Sequence, residues 1–495
     1  MNRLFSPPTV ACLLALVAGS GSFSGFAAER NGRNPMEASL VTLEITAKNY
    51  DYFQPWSKPT RSVRKHALVV GDRELVTTAQ NLADRTLVRV QKGGRGRWLN
   101  ADVKWLDYHA NVAVLTVADE GFWDGLRPVE LADRVPRRDE YEIIRWRDGN
   151  LEVRKAEFSK FTVGDGSLSF APRINLEINS EINGLGWAEP VLADGRVVGI
   201  AVSKGGNVCT VAPAPFIRRI VEAQKAGKFP GLGYFDFVWQ QGENPASLEH
   251  LKVPGEPRGA VVIIVPKSPP PGYVLRKHDV IVEVDGFPVD MEGDYDDPDY
   301  GHVMMEGIAT RRHFAGEKIP MKVAREGKIL DLEYTLPKAE YSVDLLPMFT
   351  FDSEPEYLVA GGLVFQPLTQ PYLRGWGDDW RRRAPFRLVY NMSNSPSTET
   401  PALVVLSQVL PDPINVGYQE YRNLVVDKIN GETVRRLADV KKALASPQAG
   451  LHRIDFFKGD GLQRMLLDAG SMDVSTARVL GRYGIPEAEV IAESR

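Results

Sequence analysis

The feature that most limits the possible folds is a series of short β-type runs between about residues 38 and 225: LVTLEITA, HALVVGDRELVTTA, TLVRVQKGG, NVAVLTVAD and VVGIAV. Each run buries only one face and needs several neighbours to complete a core, so Gly- and Asp-punctuated strands at this spacing build sandwiches or barrels. One helix stands out in this stretch. Residues 214–229, APFIRRIVEAQKAGKF, carry apolar positions at helical spacing with Gly227 near the end.

Two later blocks share a smaller theme. The first, about 232–338, holds GAVVIIV, HDVIVEVDGFPV and KIPMKVAREGKILDLEYTL, with turns at Asp285-Gly286 and Glu326-Gly327 that read as hairpins. The next holds ALVVLSQVL, NLVVDKINGETV, a helical RLADVKKALAS and the strand HRIDFFKG. VDGFPV and INGETV fall at matching places, which marks a repeated β-rich module.

At 495 residues and 43% hydrophobic, the chain can fill about three domains. Lys+Arg 60 against Asp+Glu 64, without a long single-sign block, leaves no overall electrostatic footprint for nucleic acid or an anionic membrane. At the N-terminus, Arg3 precedes VACLLALVAG, an apolar run too short to span a bilayer, and GSGSFSGFAA follows. Residues 1–28 therefore read as a secretory signal peptide cleaved after Ala27 or Ala28, leaving an exported, periplasmic or extracellular protein with no membrane span. Cys12 leaves with it, and Cys209 then has no partner for an internal disulfide.

The order of a barrel-like domain and two such modules resembles the HtrA/Deg serine proteases. RGAVVIIVPKSPPPGYVLRKHDVIVEVDGFPV follows the PDZ pattern, and NYDYFQPW, NVAVLTVADEGFWDGLRPVEL, EYLVAGGLVFQPLTQPYL, LSQVLPDPINVGY and RYGIPEAE are similar to the plant and fungal Deg branch. The resemblance implies a mainly β chain: a trypsin-like double β-barrel over 29–230, a PDZ domain over 231–340, and a PDZ-like α+β module with a tail over 341–495. It implies no cofactor.

Carried over position by position, the resemblance also implies a degenerate triad. Gln80 in LVTTAQNL stands at the histidine position, Asn111 in NVAVL at the aspartate position, and Trp187 in INGLGWAEP at the serine position. Leu185 replaces the glycine whose N–H helps form the oxyanion hole, and Glu189 replaces a second glycine. An amide is no base near neutral pH and an indole cannot attack a carbonyl, so hydrolysis is not expected. The Trp187 ring is expected to bury itself in the old pocket, and Leu185 to disfavour a positive φ. A displaced site would draw on His66, His109, Ser180 or Ser203, none of which sits in a G-x-S-G setting. His250, His278, His302, His313 and His452 read as surface or loop residues. No HExxH or CxxC spacing suggests a metal, and the acidic stretch DMEGDYDDPDYGH lacks the EF-hand registration, so it reads as a solvated loop.

PDZ domains add an extended peptide at a sheet edge and hold its carboxylate on the N–H groups of a Gly-containing loop. The resemblance places those loops at Gly233, Tyr234, Phe235 and Phe237 in the first module, and at Gly361, Gly362, Leu363, Val364 and Phe365 in the second. The second is the better match, because Asp236 would repel a carboxylate. The alternative is that the protein's own segments occupy either groove. The insertion RGWGDDWRRRAPF, with Trp376 and Trp380, reads as packing and a solvated face. Tyr52, Phe53 and Trp56 stand where the family assembles, which implies a homo-oligomer such as a trimer. The expected role is an exported pseudoprotease that binds extended or unfolded polypeptide as a chaperone-like protein or adaptor. The alternatives are an active serine endopeptidase of envelope quality control and a non-catalytic partner of an active paralogue.

Overall fold

The computed structural model describes residues 34–459 and 461–492, so the signal-peptide reading of residues 1–28 lies outside the described residues. The first sheet runs Leu99–Asn100, Arg85–Lys92, Leu40–Lys48, Thr60–Gly71, Glu74–Thr77, Val112–Thr116 and Asp102–Asp107 in space. Its strands alternate strictly. Val41, Leu43 and Ile45 enter one core with Ala67, Val69, Leu75, Val90 and Leu115, while Leu40, Leu68, Val76 and Val114 face a second core. That second core also takes Ile144, Leu192 and Ile200 from a closed six-stranded barrel, and Ile217, Ile220 and Val221 from the helix Ala214–Lys225. The helix stops four residues short of the expected end because Gly227 adopts φ +65° just beyond it.

The barrel orders Ser169–Asn179, Val208–Pro213, Arg196–Gly205, Pro190–Ala193, Glu140–Arg147 and Asn150–Gly166. Its hydrophobic interior does not end at residue 230. Tyr141, Phe161, Ile174 and Leu176 form one cluster with Phe235, Val262, Tyr295, Met305, Ile308 and Tyr334 of the next module. The short helix Gly307–Arg311 lies so close to the barrel that a Cβ on Gly307 would come within 2.9 Å of Val163 and 3.0 Å of Ile174.

That module is a six-stranded sheet that runs Val238–Gln241, Ala260–Ile264, Val280–Val284, Lys318–Arg325 and Lys328–Thr335, with Phe287–Pro288 paired off this path to Val280–Val284. The last module repeats the path with Leu363–Pro367, Val404–Val409, Leu424–Ile429, Leu451–Phe456 and Arg464–Asp468. Asp285-Gly286, Glu326-Gly327 and Asn430-Gly431 all turn with two positive φ values, +53°/+81°, +52°/+84° and +51°/+88°, as two-residue hairpins between twisted strands require. To the repeated path the last module adds the strands Tyr357–Ala360 and Glu489–Val490 and the helices Leu437–Leu444 and Met472–Tyr483.

Tyr52, Phe53 and Trp56 pack against this last module within the chain. Tyr52 joins a cluster with Leu346, Tyr372 and Trp380, Phe53 meets the edge of Trp376 at 4.7 Å, and Trp56 meets Tyr357 at 5.9 Å. Among the described residues, no helix is long and apolar enough to cross a membrane.

Candidate functional site

Gln80 follows the strand Glu74–Thr77, and Asn111 opens onto the neighbouring strand Val112–Thr116. The shared sheet brings them together: Asn111 Oδ1 accepts the main-chain N–H of Gln80 at 2.9 Å. Asn111 adopts φ +54°, a conformation its short amide side chain tolerates. Beneath them lies Lys65, which sequence reasoning passed over. It is 1% exposed and donates to Thr78 Oγ1 (2.5 Å), Thr78 O (2.7 Å) and Gln80 O (2.8 Å). Burial pushes its pKa down to about 7, against the upward pull of Glu189. The available signal was its place in RSVRKHALVV, where a lysine shares the inward alternation of Val63, Ala67 and Val69.

The segment around Trp187 is tied to the residue beside Lys65, since His66 N–H donates to Trp187 O at 2.9 Å. The carboxylate of Glu189, 1% exposed, accepts the N–H groups of both Gly186 (3.0 Å) and Trp187 (2.9 Å). The N–H at the expected nucleophile position is thus turned to an internal anion. Burial raises the Glu189 pKa, partly countered by its own main-chain N–H and those of Trp187 and Gly186. Leu185 is buried without a positive φ, the left-handed conformations falling instead on Gly184 (+70°), Gly186 (+98°) and Ala188 (+67°). One detail, the placement of Trp187, differs from expectation. Trp187 is only half-buried and lines, rather than fills, a pocket of about 930 Å³ that also takes in His66, Arg145, Glu152, Ser180 and Gly184. Arg145 crosses this region, donating to Glu152 Oε2 at 2.7 Å and to Asn183 O at 3.0 Å.

The candidates for a displaced site do not assemble. His66 Nε2 accepts the Trp146 N–H at 3.1 Å, and burial lowers its pKa to about 4. Ser180 Oγ accepts the N–H of Ile182 at 3.2 Å. His109 Nδ1 does lie 3.0 Å from Ser169 Oγ, a serine–histidine contact the sequence did not suggest. That serine is 1% exposed and the histidine ring is stacked 4.1 Å from Tyr341, so no substrate reaches the pair. Burial again holds the imidazole down, at about 4. The acidic stretch is not a solvated loop but a hairpin, Asp294–Asp297 paired with Gly301–Met304, that buries Tyr295, Asp297 and Tyr300; at its open end Asp290, Glu292 and His302 offer ligand atoms within 4.8 Å of one another, with Glu292 and His302 exposed.

The two Gly-marked loops differ sharply. In the first module, Gly233 bridges to Lys338 and the Tyr234 N–H reaches Pro337 O. Phe235 and Phe237 turn inward, stacked at 5.4 Å and set edge-on to Tyr334. Asp236 Oδ1 accepts from the hydroxyls of Tyr273 (2.9 Å) and Tyr334 (2.5 Å), so the loop holds a carboxylate of its own. The following strand, Val238–Gln241, pairs on one side only among the described strands. Trp239 leans from it to Glu306 Oε1 at 2.5 Å.

In the second module Gly361 and Gly362 (φ +57° and +85°) are the turn of a hairpin pairing Leu358 with Phe365, Val359 with Val364 and Ala360 with Leu363. Thr476 Oγ1 accepts the Gly361 N–H at 2.8 Å, and Asn415 Nδ2 donates to Gly361 O at 2.9 Å. The edge of Leu363–Pro367 where a peptide would add is taken by the chain's own Tyr357–Ala360, and Val404–Val409 takes its other edge. A ligand could pair there only by displacing that strand. Gly-Gly between the apolar runs YLVA and LVFQP was the hairpin signal in the sequence.

A family profile described as PDZ domain matches residues 346–490. The mitochondrial Do-like protein 3 of Arabidopsis thaliana is 26% identical over 463 residues, covering 91% of this chain and 79% of its own length. The chloroplastic protease Do-like 2 of the same plant is 26% identical over 410 residues, covering 81% and 66%. Over most of its length the chain is thus similar to Deg/HtrA-like proteases. The solved structure of the HtrA-type protease AlgW with a decapeptide superposes with a TM-score of 0.45 and 17% identity over 61% of this chain and 97% of that one. Within this Deg/HtrA-like chain, the region around Gln80, Asn111 and Trp187 offers amides, an indole and a buried lysine–carboxylate environment, while the first module offers an unpaired strand edge.

Proposed function

We propose that this Deg/HtrA-like chain is an exported pseudoprotease that binds extended polypeptide. The observation that carries the reading is Glu189. A hydrolase needs the main-chain N–H at its nucleophile free for the oxyanion, and removing one such donor costs about 10² to 10³ in turnover. Here the Trp187 N–H is already bonded to a buried carboxylate, and Trp187 brings no nucleophilic oxygen or sulfur. Gln80 and Asn111 supply neither a base nor a carboxylate to orient one.

Polypeptide binding is supported by the edge strand Val238–Gln241. Its main chain can take an added strand, and the cross-strand pair Val238 and Ile264 stays 48% and 57% exposed. With Asp236 in the adjoining loop, the preferred ligand is an internal extended segment rather than a free C-terminus. A homo-oligomer remains part of this proposal; Tyr52, Phe53 and Trp56 are engaged within the chain, so its contacts would draw on other surfaces.

The test is to incubate the chain from Glu29 onward with casein and a fluorophosphonate probe, then to measure its binding to a reduced, unfolded polypeptide. We expect no fragments, no labelling, and binding that Val238→Lys with Ile264→Lys weakens about tenfold. The names of the relatives favour an active serine endopeptidase as the second reading. Fragments whose formation a serine-directed inhibitor stops would establish it and overturn ours.

A further inference from the structure

The insertion of the C-terminal module carries a face unrelated to peptide pairing, and from it we propose that the protein docks on an anionic lipid surface through Arg381, Arg382, Arg383, Phe386 and Tyr390. The stretch WRRRAPFRLVY folds as two short helices, Trp380–Arg383 and Phe386–Val389, leading into the turn Tyr390–Ser393. Trp380 and Leu388 anchor it, buried with Leu346, Tyr372 and Leu403. What projects outward is unusual for a solvated face. Phe386 is 78% exposed and Tyr390 59%, their rings 5.9 Å apart.

The charge beside those rings is positive. Arg381, Arg382 and Arg383 are all exposed, and none makes an ion pair among the described residues. The Arg381 guanidinium lies 4.6 Å over the Trp380 ring, which holds it in place without neutralising it. Arg383 and Arg422 line an adjoining pocket of about 720 Å³ with Trp376 and Tyr421, where Glu420 is the one acidic lining residue. Asp378 and Asp379 precede the arginines in the chain and leave the cationic excess in place. The net charge of -4 does not decide the matter, because charges beyond about 8 to 10 Å are screened at physiological ionic strength.

Two classes of partner could satisfy the arginines. An acidic polypeptide would pair with the guanidinium groups but leave the protruding Phe386 and Tyr390 in water, since these rings stand out from the surface rather than line a groove. A bilayer takes both. Aromatic rings settle at headgroup depth, and guanidinium groups pair bidentately with phosphate. The observations therefore favour anionic lipid, contacted from the side, with the Arg383 and Arg422 pocket sized for a headgroup.

The test is co-sedimentation of the chain from Glu29 onward with phosphatidylcholine vesicles, with and without phosphatidylglycerol. We expect binding only to the anionic vesicles, falling steeply with added salt. Arg381→Gln/Arg382→Gln/Arg383→Gln should weaken it on the order of 100-fold, and Phe386→Ser/Tyr390→Ser about tenfold. All five side chains are exposed, so thermal unfolding should be unchanged in both variants. Equal binding to neutral vesicles, or an unaltered triple-arginine variant, overturns the proposal. Capture by polyglutamate without vesicle binding also overturns it and assigns the face to an acidic polypeptide.

Discussion

The two C-terminal modules follow the same sheet path, but one leaves its first strand bare where the other covers it. In the first module Val238–Gln241 ends the sheet. In the second, the corresponding Leu363–Pro367 is followed outward by Tyr357–Ala360 and Glu489–Val490. Leu358 and Ala360 of the covering strand face the core with Val440 and Ala443, while Tyr357 and Val359 face Val479 and Ile485. The modules are also held differently. The first shares one hydrophobic cluster with the barrel. The second has clusters separate from the barrel's and meets the N-terminal region through the aromatic contacts of Tyr52, Phe53 and Trp56 and through polar ties, including Asp352 with Asp84 and Tyr108, and Glu354 with Lys48 and Lys58. A repeat can thus keep its path while one copy becomes part of the scaffold and the other closes on itself.

The loop glycines test this contrast most strongly. A Cβ on Gly362 would lie 2.5 Å from Asn415 Nδ2 and closer still to the Leu410 carbonyl, at φ +85°. Backbone cannot yield as a side chain does, so Gly362→Ala should destabilise the second module by more than about 3 kcal/mol. At Gly233 the obstacle is the buried Leu336 side chain, Cβ and Cδ1 both at 2.9 Å, and φ is not positive, so Gly233→Ala should cost about 1 to 2 kcal/mol. Chemical denaturation of the two variants measures both. Similar losses would mean that the two loops are equally rigid and would remove the contrast.

A second comparison uses an ion pair present in each module. Asp279 (1% exposed side chain) is bonded by Arg325 through Nε and Nη2, both at 2.7 Å. Asp412 (0%) is held likewise by Arg478 through Nε and Nη2, both at 2.7 Å, and the Arg478 guanidinium lowers the Asp412 pKa to about 2. Replacing either arginine by Met strands a buried carboxylate and should cost about 3 kcal/mol. The consequence should differ in kind. Arg325→Met lowers one transition that includes the barrel, whereas Arg478→Met lets the second module open alone. Hydrogen exchange would separate these outcomes.

How much of this could be read in advance follows from how local each determinant is. The strands, the helix beginning at Ala214 and the three two-residue turns rest on local patterns, and the sequence displays them. Gln80 and Asn111 could be selected by resemblance, but their contact depends on neighbouring strands meeting in the sheet. Glu189 was visible as a replaced glycine, while its bonds to Gly186 and Trp187 depend on the path of residues 184–189 through three left-handed conformations. The hairpin at Gly361-Gly362 had a local signal that the loop reading overlooked. The pairing of Glu489–Val490 with Tyr357–Ala360 joins segments more than 100 residues apart, and no short window contains it.

The smallest expected effect concerns the polar tie of the second module. Asp84 lies against Asp352, whose Oδ1 accepts the Asp84 N–H at 2.9 Å while Oδ2 accepts the Tyr108 hydroxyl at 2.6 Å. Burial, then the nearby Asp352 charge, raises the Asp84 pKa to about 6 from an ordinary 3.8. A carboxyl with a raised folded pKa retains its proton longer in the docked state than in the released one. Docking is therefore favoured most below about pH 4, and that contribution is lost as pH rises through about 6. Asp84→Asn removes the titration, so proteolysis within residues 341–354 should slow slightly at pH 7 and lose its dependence on pH between 4 and 7. The group is only partly buried, so solvent screens part of the effect and the change should be modest beside those at Gly362 and Arg478. If the variant keeps the wild-type pH profile, Asp84 does not govern the tie, and the second module is held to the barrel by its aromatic contacts with Tyr52, Phe53 and Trp56 instead.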